Sequence, residues 1–180
     1  ITVSFSNLNY QFEDILNFSR IKTGQHPVHS TEIKLKDFIN VVIETYRPSI
    51  SAKKMEVNNS IGEGFLIFTN HNVLNIVFID LISSMLKSIQ YNKKINIFDS
   101  STFQNKCLSI QSTDTFFSDE TIMECNNYLL NLDINVFRNI NAFNFPKIIE
   151  YLDSINSRIE IENNQIGSLI KLFFPKKIEK

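Results

Sequence analysis

The stretch NHNVLNIVFIDLISSMLKSIQ, residues 70–90, constrains the fold more than any other part of the chain. Val73, Ile76, Val77, Ile79, Leu81, Ile82, Met85, Leu86 and Ile89 spread apolar side chains around most of a helix, not along one stripe. Such a helix has to be covered on several sides, so it predicts a layered fold in which a sheet and further helices enclose it. Asn70 or Asn72 can cap its start. Three polar residues, Asp80, Ser84 and Lys87, share one side of this apolar helix. Taken alone, that polar stripe reads as a solvated helix edge.

The surrounding segments supply the other layers. Val28 to Ile33 has strand character. Leu35, Phe38, Ile39, Val42, Ile43 and Tyr46 then recur at helical spacing. Pro48 falls inside that pattern, which predicts a kink or break near Arg47. MEVNNSI alternates as a strand, GEG turns the chain, and FLIFT is a short buried strand. KKINIFDS and KCLSIQS form a strand pair across the loop STFQN. DETIMECNNYLLNL can form a helix, whereas residues 123–141 carry no clean period overall. PKIIEYLDSIN is a helix with Pro146 in its first turn, and SRIEIEN and GSLIKLFFP close the chain as an antiparallel pair near Gly167. Ahead of all this, Leu8, Phe12, Ile15, Leu16 and Ile21 mark an amphipathic helix ended by Gly24 and Pro27. Its apolar face needs a partner, either an upstream helix or a second protomer. The expected fold class is therefore α+β, a mixed sheet covered on one face by helices and preceded by one long helix.

Composition narrows the function classes. With 180 residues, 43% of them hydrophobic, and 16 Phe, the chain can fill one substantial core. A formal net charge of −1 argues against electrostatic nucleic-acid binding. No run approaches the length of a membrane span, and no signal-peptide pattern is present. The chain starts with Ile, which is the expectation for a fragment whose upstream anchor or sensor lies out of view. Cys107 and Cys125 are far apart with no metal spacing, which fits a reducing, cytoplasmic setting. His26, His29 and His71 read as ordinary surface histidines, and no metal site is expected. Only four glycines occur, where average usage gives about twelve. Backbone cradles for phosphate need glycine, so this scarcity bears directly on any nucleotide site.

The order of elements and the local text resemble the core of sensor histidine kinases, whose ATP-binding domain has the two-layer Bergerat-type fold. DILNFSRIKTG is similar to the end of the second helix of the dimerisation hairpin, often DLLDLSRIEAG in the family. IETYRPSISAKKMEV resembles the opening of the ATP-binding domain. FTNHNVLNIVFIDLISSMLKSI resembles the helix that bears the N-box, and RIEIENNQIGSLIKLFFP the closing strands. The resemblance implies a hairpin remnant over residues 1–25 and an ATP-binding domain over 26–180. It also implies a homodimer or helix–helix partner through residues 8–22, with a response regulator or a kinase as a further partner.

The functional motifs depart from the family's pattern. The N-box positions read Asp80 and Ser84, the second standing where the family has a Mg²⁺-coordinating Asn; Lys87 matches a phosphate-contacting lysine. Strand register puts Ser112 at the adenine-binding aspartate, Asp114 at the first glycine of that motif and Phe116 at the second, with Phe117 next to it. The last glycine motif falls on Ala142 and Asn144 or, with a one-residue gap, on Phe143 and Phe145. The phosphoacceptor His of the family would lie upstream of Ile1. The expectation is a degenerate kinase core with no catalytic residue and no cofactor, in which Phe116 or Phe117 points into the former nucleotide space. An active divergent kinase would use Mg-ATP and keep Asp80 and Lys87 as contacts. A third reading is a structural subunit that uses the same fold in a larger assembly.

Overall fold

The computed structural model describes residues 30–103, 105–131, 143 and 145–175. In chain order the elements are β1 (Thr31–Lys34), α1 (Leu35–Ala52), β2 (Glu56–Asn59), β3 (Leu66–Thr69), α2 (His71–Ser88), β4 (Lys94–Asp99), β5 (Lys106–Ser112), α3 (Asp119–Asn131), α4 (Phe145–Ser154), β6 (Arg158–Asn163) and β7 (Ser168–Phe174). Five strands form a mixed sheet in the order β2-β4-β5-β7-β6; β2 pairs with β4 in parallel, and the other neighbours are antiparallel. The α+β architecture expected from the residue pattern is the one observed. The predicted helix over residues 8–22 lies outside the described residues.

Side-chain alternation explains the layering. Ile95 and Ile97, Leu108 and Ile110, Ile159 and Ile161, and Ile170 and Leu172 are all buried at every second position of their strands. The opposite face carries charge, with Lys171 bonded to Glu162 at 3.0 Å and Arg158 to Glu160 at 3.3 Å. Helices α2 and α4 take part in the same core as the apolar sheet face. Leu74, Val77, Phe78, Leu81 and Met85 of α2 and Phe145, Ile148 and Leu152 of α4 are fully buried. Each such side chain contributes about 1.5–3 kcal/mol on leaving water, so α2 is the central pillar of the domain. Its start is capped by Asn70, whose Oδ1 accepts the Val73 N–H at 3.0 Å.

Two expectations need correction. The first described strand is Thr31–Lys34, Val28 lying outside the described residues, and with β3 it makes a separate two-stranded antiparallel sheet, Thr31 facing Thr69 and Lys34 facing Leu66. Helix α1 also runs unbroken through Pro48. Pro48 removes the N–H that would reach the Glu44 carbonyl, but both residues lie on the exposed side, where water can replace the bond. Phe38, Ile39 and Val42 before the proline and Ile50 after it are buried, so the helix is anchored to the core on both sides of it.

Candidate functional site

The polar stripe of α2 and the segment after β5 hold the residues singled out in the sequence. On α2, Asp80 is partly exposed and its Oδ2 lies 3.0 Å from Nζ of Lys147, the third residue of α4. This ion pair ties the two core helices together at the surface. Ser84, one turn further on, is buried. Lys87 is exposed in the last turn, where a cation complements the negative end of the helix dipole. Asp80 is thus paired with a lysine, and Ser84 has little access to solvent.

The segment after β5 is bound on nearly every side. Ser112 is fully buried, and its Oγ accepts the Asp114 N–H at 2.9 Å. The Asp114 carboxylate accepts the N–H of Gln90, just past α2, at 2.7 Å, and its other oxygen lies 3.3 Å from Lys93 Nζ. Asp114 therefore fastens the end of β5 to the α2–β4 connection. Its carbonyl accepts the Ser168 N–H at 3.0 Å.

The β6–β7 turn closes over the same segment. Ser168 Oγ accepts the N–H groups of Phe116 at 2.9 Å and Phe117 at 3.2 Å, and donates to Asn163 Oδ1 at 2.7 Å. Asn163 Nδ2 in turn donates to the Phe117 carbonyl at 2.8 Å. Buried Gln111 donates to the carbonyls of Ser112 and Ser168 at 2.8 and 3.1 Å, while its Oε1 accepts from Asn164 at 2.8 Å. Gly167 makes this closeness possible. Its φ is +150°, and a Cβ there would sit 2.4 Å from the Ser112 carbonyl oxygen. The glycine thus serves the packing of two protein segments against each other.

Four aromatic rings fill the space beside this clamp. Phe116 and Phe117 have centroids 4.4 Å apart, Phe117 and Phe143 5.1 Å, and Phe117 and Phe145 5.9 Å. Phe143 stacks on Phe145 at 5.2 Å and on Phe116 at 5.7 Å. Phe117, Phe143 and Phe145 are buried, and Phe116 is half-buried against the core. The resemblance drawn from the sequence assigns Phe116 to one glycine position and, in its gapped register, Phe143 and Phe145 to two more. Ala142 and Asn144, the ungapped alternative, lie outside the described residues.

The thiols are inert by environment. Burial pushes Cys125 on α3 up to about 12 and raises Cys107 as well. Among the described residues no group of three or more His, Cys, Asp or Glu side chains could hold a metal ion. His71 lies exposed at the start of α2, its ring edge-on to Phe38 at 5.5 Å. Of the five residues singled out in the sequence, Ser112 and Asp114 are joined by a direct bond. Lys147, Gln111, Asn163 and Ser168 were not foreseen, since no local motif marks them. Among the described residues, no helix is long and apolar enough to cross a membrane.

Comparison with known proteins agrees with this architecture. No protein-family model matches the chain. It is 30% identical over 109 residues to the autoinducer 2 sensor kinase/phosphatase LuxQ of Vibrio vulnificus (strain YJ016), an alignment covering 57% of this chain and 12% of that protein. Among solved structures, the Acinetobacter baumannii histidine kinase AdeS superposes with a TM-score of 0.74 at 13% identity, over 96% of this chain and 80% of the other. Histidine kinase ThkA, solved in complex with response regulator protein TrrA, gives a TM-score of 0.71 at 17% identity, over 98% of this chain and 49% of the other. The fold is that of the histidine kinase ATP-binding domain, and the resemblance drawn from the sequence is borne out. The chain spans about an eighth of the length of LuxQ.

Proposed function

We propose that this chain is a histidine-kinase-like module of two-component signalling whose nucleotide site is degenerate, a pseudokinase that acts through protein–protein contacts. The observation that carries this reading is the packing of Phe116, Phe117, Phe143 and Phe145 into one cluster, with Phe116 on a position that the resemblance assigns to glycine and, in its gapped register, Phe143 and Phe145 on two more. Glycines there would let the backbone close on phosphate and base; phenylalanines fill that room and offer no oriented donors. The bonding of Asp114 and Asp80 supports the same reading, because each carboxylate already serves a protein partner. In this reading residues 26–180 are the degenerate ATP-binding domain, and residues 1–25 are the remnant of a dimerisation hairpin. The module works in the cytoplasm, pairs through residues 8–22 and docks a response regulator or a kinase. ThkA was captured with a response regulator, which makes that class the first partner to try.

One observation favours the alternative of an active, divergent kinase. The Asp80–Lys147 pair is partly exposed, so its attraction is screened and Asp80 can be released to a cation at small cost. In that case Mg-ATP would be held through Asp80 and Lys87. Titrating the chain with Mg-ATP while following thermal unfolding separates the two readings. The pseudokinase reading expects no change in Tm; the kinase reading expects a saturable rise.

A further inference from the structure

The five-stranded sheet ends at β2, whose one strand partner among the described residues is β4. The Glu56 N–H donates to the Lys93 carbonyl at 3.1 Å, and the Ser60 N–H to the Ile97 carbonyl at 2.8 Å. By the alternation of a parallel pair, Val57 and Asn59 turn their N–H and C=O groups the other way, where no described strand pairs with them. A groove of about 440 Å³ follows this edge, and its lining comes from both faces of β2. On the α1 face, Val57 packs against the core beside half-buried Ile43. Asn59 Nδ2 donates there to the Lys36 carbonyl at 3.1 Å and to Asn40 Oδ1 at 2.8 Å. On the opposite face, Asn58 Nδ2 donates to Asn96 Oδ1 at 3.2 Å and to Glu56 Oε1 at 3.0 Å. A groove that touches both faces of an edge strand has the free edge for its floor.

We propose that this edge takes up an extended, uncharged segment of a partner protein as a sixth strand. The main chain of Val57 and Asn59 supplies donors and acceptors at strand spacing, and an extended main chain carries the matching set. Room selects a lone segment. Helix α1 walls one side of the groove, and a second copy would have to bring its own α1 alongside. Charge selects a neutral one: Arg47 is bonded to Glu44, and Lys94 lies 2.7 Å from Glu56, so the groove holds no unmatched charge to attract an ion. Side chains narrow the sequence further. Asn58 and Asn96 stand in register as two rungs of an amide ladder, and Asn58 Oδ1 takes part in neither of the bonds its Nδ2 makes. An Asn or Gln on the incoming strand adds the next rung. Its two neighbours then turn to the α1 face, where Ile43 and Val57 suit valine. This docking is independent of whether nucleotide binds.

The test uses the whole 180-residue chain, isotope-labelled, with the pentapeptide acetyl-Thr-Val-Asn-Val-Thr-amide as probe. Saturable amide shifts centred on Val57 and Asn59 are expected. Hydrogen exchange at those two amides should slow about tenfold once roughly nine-tenths of the edge is occupied. Asn58 is exposed, so Asn58→Leu leaves the fold intact, and it should weaken binding about fivefold, the worth of one net hydrogen bond. The same peptide with every amide N-methylated cannot donate and should give no saturable shift. Absence of shifts up to millimolar peptide overturns the proposal. Equal binding of the N-methylated peptide does so too, since it would place recognition in side chains alone. Shifts at Val57 and Asn59 that grow with protein concentration, without peptide, would give the edge to a second copy and overturn it as well.

Discussion

The two regions that would form opposite walls of a kinase nucleotide site are built very differently here. On the α2 wall, Asp80 makes one partly exposed ion pair, and the helix would keep its place without it. On the wall after β5, Asp114 alone joins a backbone N–H, a lysine and, through its carbonyl, the β6–β7 turn. Ser168, Asn163 and the phenylalanine cluster then immobilise the next residues of the chain. The polar residues of the two walls are therefore not equivalent. Those on α2 decorate an apolar pillar that stands by its own packing. Those after β5 are bonded to the α2–β4 connection and to the β6–β7 turn.

Mutation can test that contrast. The largest effect is expected for Phe117→Ala, which empties the middle of the ring cluster and should cost about 3–5 kcal/mol in denaturant unfolding. A loss below about 1 kcal/mol would mean that the rings are loosely packed. Asp114→Ala comes next. It leaves the Gln90 N–H without its acceptor and should cost roughly 1.5–3 kcal/mol, typical of a charge-assisted bond at a buried site. Asp80→Asn should cost less than about 1 kcal/mol, as exposed ion pairs do. If Asp80→Asn destabilises as much as Asp114→Ala, the two walls are alike and the contrast fails.

The smallest expected effect at neutral pH concerns Cys125. Its thiol is held up to about 12 by burial, above the ordinary thiol range near 8.5–9. A raised folded-state value stabilises the fold fully below the unfolded-state value, and that stabilisation is lost as pH rises from about 9 towards 12. At pH 8, disulfide-exchange reagents should therefore label Cys125 only as fast as the protein opens. Fast labelling in the native state would place Cys125 outside the core.

Much of the framework was legible in the sequence because it rests on local periodicity. The apolar circumference of α2, its Asn70 cap and the alternation in β4–β7 are all written within short windows. The break expected near Pro48 does not occur, because buried residues on both sides of it anchor the helix. The separate β1–β3 sheet could not be foreseen, since its pairing joins residues more than thirty positions apart. At the site, counting strand register leads to Phe116 and its neighbour Phe117, and Phe117 is buried. The clamp escaped because Gln111 meets Ser168, and Phe117 meets Asn163, across 57 and 46 positions of sequence. No local pattern reports which Ser or Asn will find such a partner.

Mg-ATP titration of the 180-residue chain, read by calorimetry and by thermal unfolding, decides between a filled site and a working one. A filled, clamped site predicts no heat of binding and an unchanged Tm up to millimolar nucleotide. A saturable binding heat would contradict it. So would a Tm rise of about 5–10 °C, the size expected when a ligand at a hundredfold excess over its Kd stabilises a domain of this length.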